Sequence, residues 1–384
     1  MPKRKQLQII TVEKIPIHLY VVTLSSLCII TGLRWDISWH GSVGRDSFLT
    51  PPHVMVYAAA FAGGLISGIQ VLRDSFFAPV EIKRKLVKIW GVFYSNTGAL
   101  FCIWGALAML LSAPFDDWWH SAYGLDVVIA SPPHTLLGLG MLFMQLGACI
   151  SLCQSLNKNR TKKILQALFI ITAASLLSMI SLWVSDYIDK RFQHSAQFYI
   201  IIVADILLFL PAFGRELGLK YGMTVIAIAY FFLTSVINWV LQIIPAVPRL
   251  SPILNPVTHL ISLPFPLLLF VPAIAMDAVM QRVKGSDGVK AFLISTVFVL
   301  LLLIVQYPFS DFLLRSSGSR NWFFGSDAWG YNMPPDWEYR YQFQPGEESP
   351  APVLAIGVFI AIGIGVLTTR LSLRWGSWMQ QIKR

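Results

Sequence analysis

The sequence AFLISTVFVLLLLIVQY, residues 291–307, decides the fold class, because it is a continuous apolar run of the kind that enters a lipid bilayer. Comparable apolar blocks recur along the whole 384-residue chain. A helix of about 20 apolar residues crosses the roughly 30 Å hydrocarbon layer of a membrane. Only helices and closed barrels satisfy their backbone hydrogen bonds in lipid, and blocks this long and continuous are helices. We therefore predict an all-α, polytopic integral membrane bundle.

The apolar blocks predict about ten transmembrane helices. They lie near residues 16–34, 53–72, 87–112, 134–154, 164–184, 197–213, 221–244, 261–280, 291–307 and 352–373. Only 13% of the residues are charged and 55% are hydrophobic, whereas a soluble protein has about 25% charged residues. This composition excludes an ordinary soluble enzyme and a disordered chain.

The distribution of basic residues predicts the orientation of these helices. With the N-terminus in the cytoplasm, the inner segments contain 22 of the 30 Lys and Arg residues, which is the asymmetry of the positive-inside rule. Ten crossings return the C-terminus to the cytoplasm. The net charge of +10 is thereby explained without nucleic acid as a partner. We predict a multi-pass protein of the cytoplasmic membrane whose lipid bilayer is its first partner.

Two loops on the outer side are near-copies of each other. The first reads WDISWHGSVGRDSFLTPPH, residues 35–53, and the second reads DDWWHSAYGLDVVIASPPH, residues 116–134. Their shared polar positions are Asp36, His40, Asp46 and His53 in the first loop, and Asp116, His120, Asp126 and His134 in the second. Each loop starts where one predicted helix leaves the membrane and ends at the first residue of the next.

The spacing within each loop predicts a metal site. Asp36 and His40 are four residues apart, so they lie on one helix face, as do Asp116 and His120. The Pro-Pro pair ends any helix before the second histidine, which then starts the returning helix. Two imidazoles and one carboxylate converge in this way, and these ligand types suit copper, zinc or iron rather than magnesium or calcium. The competing interpretation is a helix cap in an interfacial belt of Asp, His and Trp.

A resemblance to a known family follows from these residues. The segment RDSFLTPPH, residues 45–53, resembles the RD-x3-TP-x-H stretch in a copper-binding membrane subunit of particulate methane monooxygenase and its ammonia monooxygenase relatives. Matched in this way, Asp36, His40 and His53 fall on the family's Asp-His-His copper ligands. The second loop resembles the other copper site of the same subunit, with Asp116 in place of an Asn. The resemblance covers roughly residues 30–150 and does not extend to residues 160–384.

The resemblance implies a copper membrane monooxygenase, an oxidoreductase that oxygenates a small apolar substrate with dioxygen. It also implies further membrane subunits as partners, and metal sites that face the periplasmic or extracellular side. Asp46 and Asp126 are the nearest candidates for groups that hold the ligating histidines, and no catalytic acid or base is assigned. The alternatives are a non-catalytic metal carrier, assembly factor or subunit, and a zinc-dependent intramembrane hydrolase.

The sequence further suggests two regions. Residues 1–155 contain four helices and both loops, and residues 156–384 contain six helices with an aromatic-rich outer loop at 308–351. That loop is predicted to form a lid over the metal-bearing face, a docking surface, or an interfacial plug without a function of its own. We expect each helix hairpin to form its own metal site. We expect the second loop to bind more tightly, because Arg34 and Arg45 flank the ligands of the first.

Overall fold

The computed structural model describes residues 15–44, 49–124, 131–184, 188–334, 336 and 345–382. Within those residues the protein is predominantly helical, with a single two-stranded β-hairpin. The helices are α1 (Ile17–Ser42), α2 (Pro51–Phe76), α3 (Val80–Lys83), α4 (Thr97–Tyr123), α5 (Pro132–Lys158), α6 (Lys163–Trp183), α7 (Ala196–Leu217), α8 (Gly222–Leu241), α9 (Phe270–Arg282), α10 (Asp287–Arg315) and α11 (Ala351–Met379), and the strands are β1 (Val87–Ile89) and β2 (Phe93–Ser95). The predicted all-α membrane bundle is confirmed.

Among the described residues, nine helices are long and apolar enough to cross a membrane; α3 and α9 are too short. The predicted eighth span, residues 261–280, is therefore only partly helical: residues 261–268 are non-helical, and α9 follows. Ile261 bonds to Ser42 at the end of α1, whereas Asp277 accepts hydrogen bonds from Thr224 at the start of α8. This segment thus passes from one end of the bundle to the other as a tenth, broken crossing. The chain is a multi-pass integral membrane protein.

The predicted third span is wrong at its start. Residues 87–95 form a β-hairpin in which Val87 pairs with Ser95, and α4 begins only at Thr97. Helix α4 then continues to Tyr123, and α1 likewise continues to Ser42, well beyond the predicted ends at 112 and 34. The first halves of both motifs therefore lie on the last turns of long helices.

Two helix hairpins, α1–α2 and α4–α5, contain the two motifs and pack side by side. Helix α2 packs against α4, and α1 packs against α5. We call the end of the bundle at which α1 and α4 finish and α2 and α5 start the upper end. Both motifs therefore lie at the upper end, at the same level of two adjacent hairpins.

The α4–α5 hairpin is held together by close backbone contact. A Cβ atom at Gly105 would lie 2.5 Å from the backbone nitrogen of Met144 and 2.7 Å from the carbonyl oxygen of Gly140. The same crowding occurs at Gly98 and Gly147. Small residues let helices in membranes approach closely and pack by van der Waals contact. This glycine seam fixes the position of α4 relative to α5.

The aromatic-rich outer loop begins later than predicted, since α10 continues to Arg315. Its described part docks on the upper end of the bundle: the ring of Trp322 stacks on Trp239 of α8, and that of Phe324 lies edge-on to Phe312 of α10. Tyr331 donates its backbone N–H to Gly41 at the end of α1. The remaining aromatic residues of this loop lie outside the described residues, namely Trp337, Tyr339, Tyr341 and Phe343. The described part covers mainly the ends of α8 and α10.

We predict that the upper end faces the periplasm or the cell exterior. Cysteine in place of the exposed Ser317 at the upper end should react with a membrane-impermeant maleimide in intact cells. Cysteine in place of the exposed Thr161 at the opposite end should react only after the cells are opened. The unsubstituted chain is the control, because three of its four cysteines are buried. The reverse labelling pattern would contradict the proposed orientation.

Candidate metal centre

The first set of predicted ligands, Asp36, His40 and His53, comes together at the upper end. Asp36 and His40 lie one turn apart on α1, and His53 lies in the first turn of α2. Nε2 of His53 is 3.2 Å from Oδ1 of Asp36, and Nε2 of His40 is 3.8 Å from Oδ2. One ligand atom from each residue lies within 4.8 Å of the others. The three side chains thus form a group that can hold one metal ion.

The second set, Asp116, His120 and His134, repeats this arrangement on α4 and α5. Nε2 of His120 is 3.3 Å from Oδ2 of Asp116, and Nε2 of His134 is 3.8 Å from Oδ1. In both sets a single carboxylate stands between two imidazoles. Among the described residues, however, only the first set closes to within 4.8 Å between every pair of ligands.

The two sets border one cavity. Its volume is about 40 Å³, and it is lined by Leu33, Asp36, His53, Val56, Tyr57, Ser112, Asp116, Pro133, His134, Leu137 and Met141. As expected, each set is assembled within one hairpin. Because α2 packs against α4, however, the hairpins bring both sets to a common space rather than to two unrelated ones.

Local hydrogen bonds orient the histidines of the second set. Nδ1 of His120 donates to the carbonyl oxygen of Gly124 at 3.2 Å, and Nδ1 of His134 lies 2.9 Å from Oγ of Ser131. Gly124 ends α4 with a φ of +86°, a conformation that favours glycine. The hydrogen bond at Nδ1 fixes the orientation of the His120 ring, and in this orientation Nε2 faces Asp116. A hydrogen bond at one ring nitrogen is the usual way in which proteins orient a metal-binding histidine.

The arrangement fits a metal ion. An imidazole nitrogen and a carboxylate oxygen that face each other at this distance share either a hydrogen atom or a metal ion. Two ligand atoms each about 2.1 Å from one metal are about 3.0–3.4 Å apart at angles near 90° to 109°, and the observed separations of 3.2–3.8 Å are close to this range. Oδ1 of Asp36 and Oδ1 of Asp116 are both buried without a hydrogen-bond donor aligned on them. Buried acceptors of this kind are the ones that a bound cation would satisfy.

The serine before the second Pro-Pro pair should matter for metal affinity. Ser131→Ala removes the group beside Nδ1 of His134, so the ring is no longer held, and we expect about a 10- to 100-fold loss of affinity at the second set. Thr50 occupies the equivalent place before His53, but its Oγ1 is buried without a hydrogen-bond partner. Thr50→Ala is therefore the matched control and should change affinity less. Competitive metal titration of both variants measures the difference, and equal losses would contradict this role of Ser131.

Several other predictions concern residues away from the cavity. Asp46 and Asp126 lie outside the described residues, so their proposed role stays a prediction. Arg34 donates from Nη2 to Oδ1 of Asn238 at 2.8 Å and thus reaches into the bundle. The structure gives no support to the expected tighter binding by the second set, because the first set is the more compact and Arg34 is engaged elsewhere.

His194 is a buried residue of the connection before α7. Its Nε2 lies 3.3 Å from Oγ of Ser310 and 3.8 Å from Oδ1 of Asp311, and its ring is edge-on to Tyr307. Burial lowers the pKa of His194. The residue is a packed polar contact between α7 and α10, and it takes no part in the cavity.

Sequence reasoning missed Ser131, which lies beside Nδ1 of His134, and Met141, which lines the cavity. Ser131 and Thr50 precede the two Pro-Pro pairs, and a shared hydroxyl-Pro-Pro-His pattern was the available signal. Met141 lies two turns below His134 on α5 and adds a thioether to the lining. No spacing in the sequence distinguishes Met141 from an ordinary packing residue.

Comparison with known proteins adds no further constraint. No family model, curated protein or solved structure matches the chain. The motifs and the geometry of the cavity are therefore the features that bear on function.

Proposed function

We propose that this protein binds copper in the cavity at the upper end, with one ion in each Asp-His-His set. The observation that supports this most is the duplication: two independent hairpins place the same three ligand types in the same arrangement on one cavity. Helix capping can account for one Asp-His-His set. Capping alone gives no reason for a second hairpin to contain the same three residue types.

The ligand chemistry favours copper over other metals. Imidazole and carboxylate ligands serve copper, zinc and iron alike, whereas thioether sulfur is a soft ligand that favours Cu(I). Met141 brings such a sulfur to the cavity lining. The motif resemblance to the copper membrane monooxygenases supports the same metal.

We propose further that the site oxygenates a small apolar molecule. Bound copper with open coordination positions supplies the capacity to reduce dioxygen when electrons are delivered. Leu33, Val56 and Leu137 form the apolar wall of the cavity, so an apolar substrate is favoured there over water. Electron delivery requires a partner, and other membrane subunits are the proposed source.

Metal analysis of the purified protein tests the proposal. We expect copper in an amount equal to one ion per set, and no loss of it in His259→Ala, which removes an exposed histidine at the upper end outside both sets. Stoichiometric zinc would instead support the hydrolase alternative. If the purified protein contains no metal and takes up none from added copper, the copper proposal is wrong, and the two sets are only contacts between imidazole and carboxylate groups.

Oxygen-dependent turnover in membranes tests the reaction. With propene as substrate, one oxygen atom of dioxygen should enter the epoxide, and the other should leave as water with two electrons and two protons from an added reductant. The expected turnover requires both dioxygen and copper. Copper binding without turnover would favour a carrier or a non-catalytic subunit.

One observation specifically favours copper handling without catalysis. Met109, Met144 and Cys102 are buried in the α4–α5 pair, near the level of Met141 and below it. Soft sulfur ligands below a copper cavity suit transfer of Cu(I) as well as retention. Loss of copper uptake by cells in a Met141→Leu variant, with normal protein levels, would support this second function.

A further inference from the structure

The broken crossing at residues 261–282 lines two cavities away from the candidate metal centre. Its extended stretch is held by side chains: Asn238 donates to the carbonyl oxygen of Leu263 at 3.0 Å, and Gln306 accepts from the backbone nitrogen of Leu268 at 3.0 Å. Non-helical backbone at membrane depth is tolerated where it is buried in protein or lines a cavity. In membrane transporters, interrupted helices of this kind mark the position of a bound ligand. The broken crossing therefore points to a binding site.

A buried cation lies beside this stretch. Arg34 is only 3% exposed; its Nη2 donates to Asn238, while its Nε is buried without a hydrogen-bond partner. Within the described part of the chain, Arg34 makes no ion pair with a carboxylate. Removing a charge from water without a counter-ion costs several kcal/mol or more. Among the residues that the structure describes, no carboxylate compensates the charge of this buried guanidinium group.

Two adjoining cavities lie between the upper end and Arg34. The inner cavity, of about 10 Å³, is lined by Arg34, Tyr230 and Thr234. The outer cavity, of about 180 Å³, opens beside Lys190. Residues Ile188 and Pro264 line both cavities, so the inner one lies directly behind the outer one.

The outer cavity carries a second cation between apolar walls. Lys190 donates to the carbonyl oxygen of Ser326, and its Nζ lies 5.3 Å from the centre of the Trp329 ring. Burial lowers the pKa of Lys190, while Asp189 and Asp327 oppose that shift and Arg191 adds to it. Arg191 pairs with Asp189 at 2.8 Å, and the lining of the outer cavity contains two basic side chains and one acidic one.

We propose that these cavities bind a small organic carboxylate whose acid group reaches toward Arg34. A volume of about 10 Å³ admits one water-sized group, so a carboxylate oxygen fits beside Arg34 and a tetrahedral phosphate does not. Guanidinium also matches the planar geometry of a carboxylate. Phe265, Leu313 and Phe324 surround the outer cavity and favour an apolar body on the ligand over a bare inorganic ion.

Thermal unfolding of the intact protein in detergent, with benzoate as probe, tests the proposal. We expect a saturable rise in the unfolding midpoint with sodium benzoate, and no rise with neutral benzamide, which has the same shape. Ala328→Leu fills the outer cavity while leaving all charges in place, so the benzoate effect should disappear. Lys190→Gln should weaken apparent benzoate affinity by about tenfold or more. Lys220→Gln, at the opposite end of the bundle, is the control and should behave like the unsubstituted chain.

Three results would overturn the assignment. These are an equal rise with sodium chloride at the same ionic strength, an equal rise with benzamide, or a benzoate effect that persists in both Ala328→Leu and Lys190→Gln. Arg34→Gln should also lose the effect, and the two outer-cavity variants keep the test valid if that substitution impairs folding. The copper content should be unchanged in Ala328→Leu, so the outcome is independent of the proposed copper sites.

Discussion

Replacing both Asp36 and Asp116 by alanine should remove the metal from the cavity, whereas either single replacement should leave the ion of the other set. The physical reason is the position of each carboxylate between two imidazoles, within 3.2–3.8 Å of both Nε2 atoms. Without it, two neutral nitrogens remain, and the anionic charge that compensates the metal is lost. Copper per chain, measured on purified protein after loading with excess copper and removal of the unbound metal, should fall by half in each single variant and to background in the double variant.

Asp74→Ala is the control for this series. Asp74 lies near the opposite end of α2, outside the cavity, and its removal should leave the copper content unchanged. The circular dichroism of each variant checks that the bundle is intact. Wild-type copper in the double variant would contradict the assignment of both carboxylates as ligands.

Replacing Gly105 by leucine should give the largest structural effect. The new Cβ would lie 2.5 Å from the Met144 backbone nitrogen, and backbone atoms within a packed helix cannot yield without moving the helix. Overpacking of this kind costs typically about 1–3 kcal/mol, and sometimes more. As α4 and α5 separate, Asp116 and His120 move away from His134, so the second set should lose its metal.

Gly68→Leu is the matched control, because nothing lies within 4 Å of a Cβ placed at Gly68 on α2. The two substitutions have the same intrinsic effect on helix propensity, so their difference reports packing alone. We expect a lowered unfolding midpoint and half the copper in Gly105→Leu, and neither change in Gly68→Leu. Equal unfolding midpoints in the two variants would contradict the role of the glycine seam in packing. Retention of all copper in Gly105→Leu would show that metal binding by the second set does not depend on the seam.

Much of the fold follows from the sequence because lipid restricts the options of the backbone. Continuous apolar blocks had to be helices, and nine of the ten predicted spans correspond to long helices. The predicted eighth span is not a continuous helix because Pro264 and Pro266 lack the amide hydrogens that a helix needs. Apolar composition alone could not separate such a stretch from a helix. The same limit explains the β-hairpin at residues 87–95.

The membership of each candidate set also followed from spacing, since i and i+4 positions and a Pro-Pro turn fix local geometry. The common cavity did not, because it depends on how α2 packs against α4. The side of α1 on which Arg34 lies is likewise set by tertiary contact with Asn238. The local sequence therefore determines which residues form each set, whereas the packing of the bundle determines which helices and side chains surround them.

The pairing of the hairpins has a symmetry. Both run upward and then downward, and a rotation that exchanges α1–α2 with α4–α5 also exchanges the α2–α4 contact with the α5–α1 contact. The two hairpins thus share the same connectivity and exchange neighbours in the same way, as the halves of a parallel internal repeat do in several transporter families. The cavity lies where the two repeats meet, and a rigid-body rotation of one repeat against the other would alter both sets together. A single chain thereby brings two similar groups of ligand side chains to one cavity, an arrangement that separate proteins reach by forming a dimer.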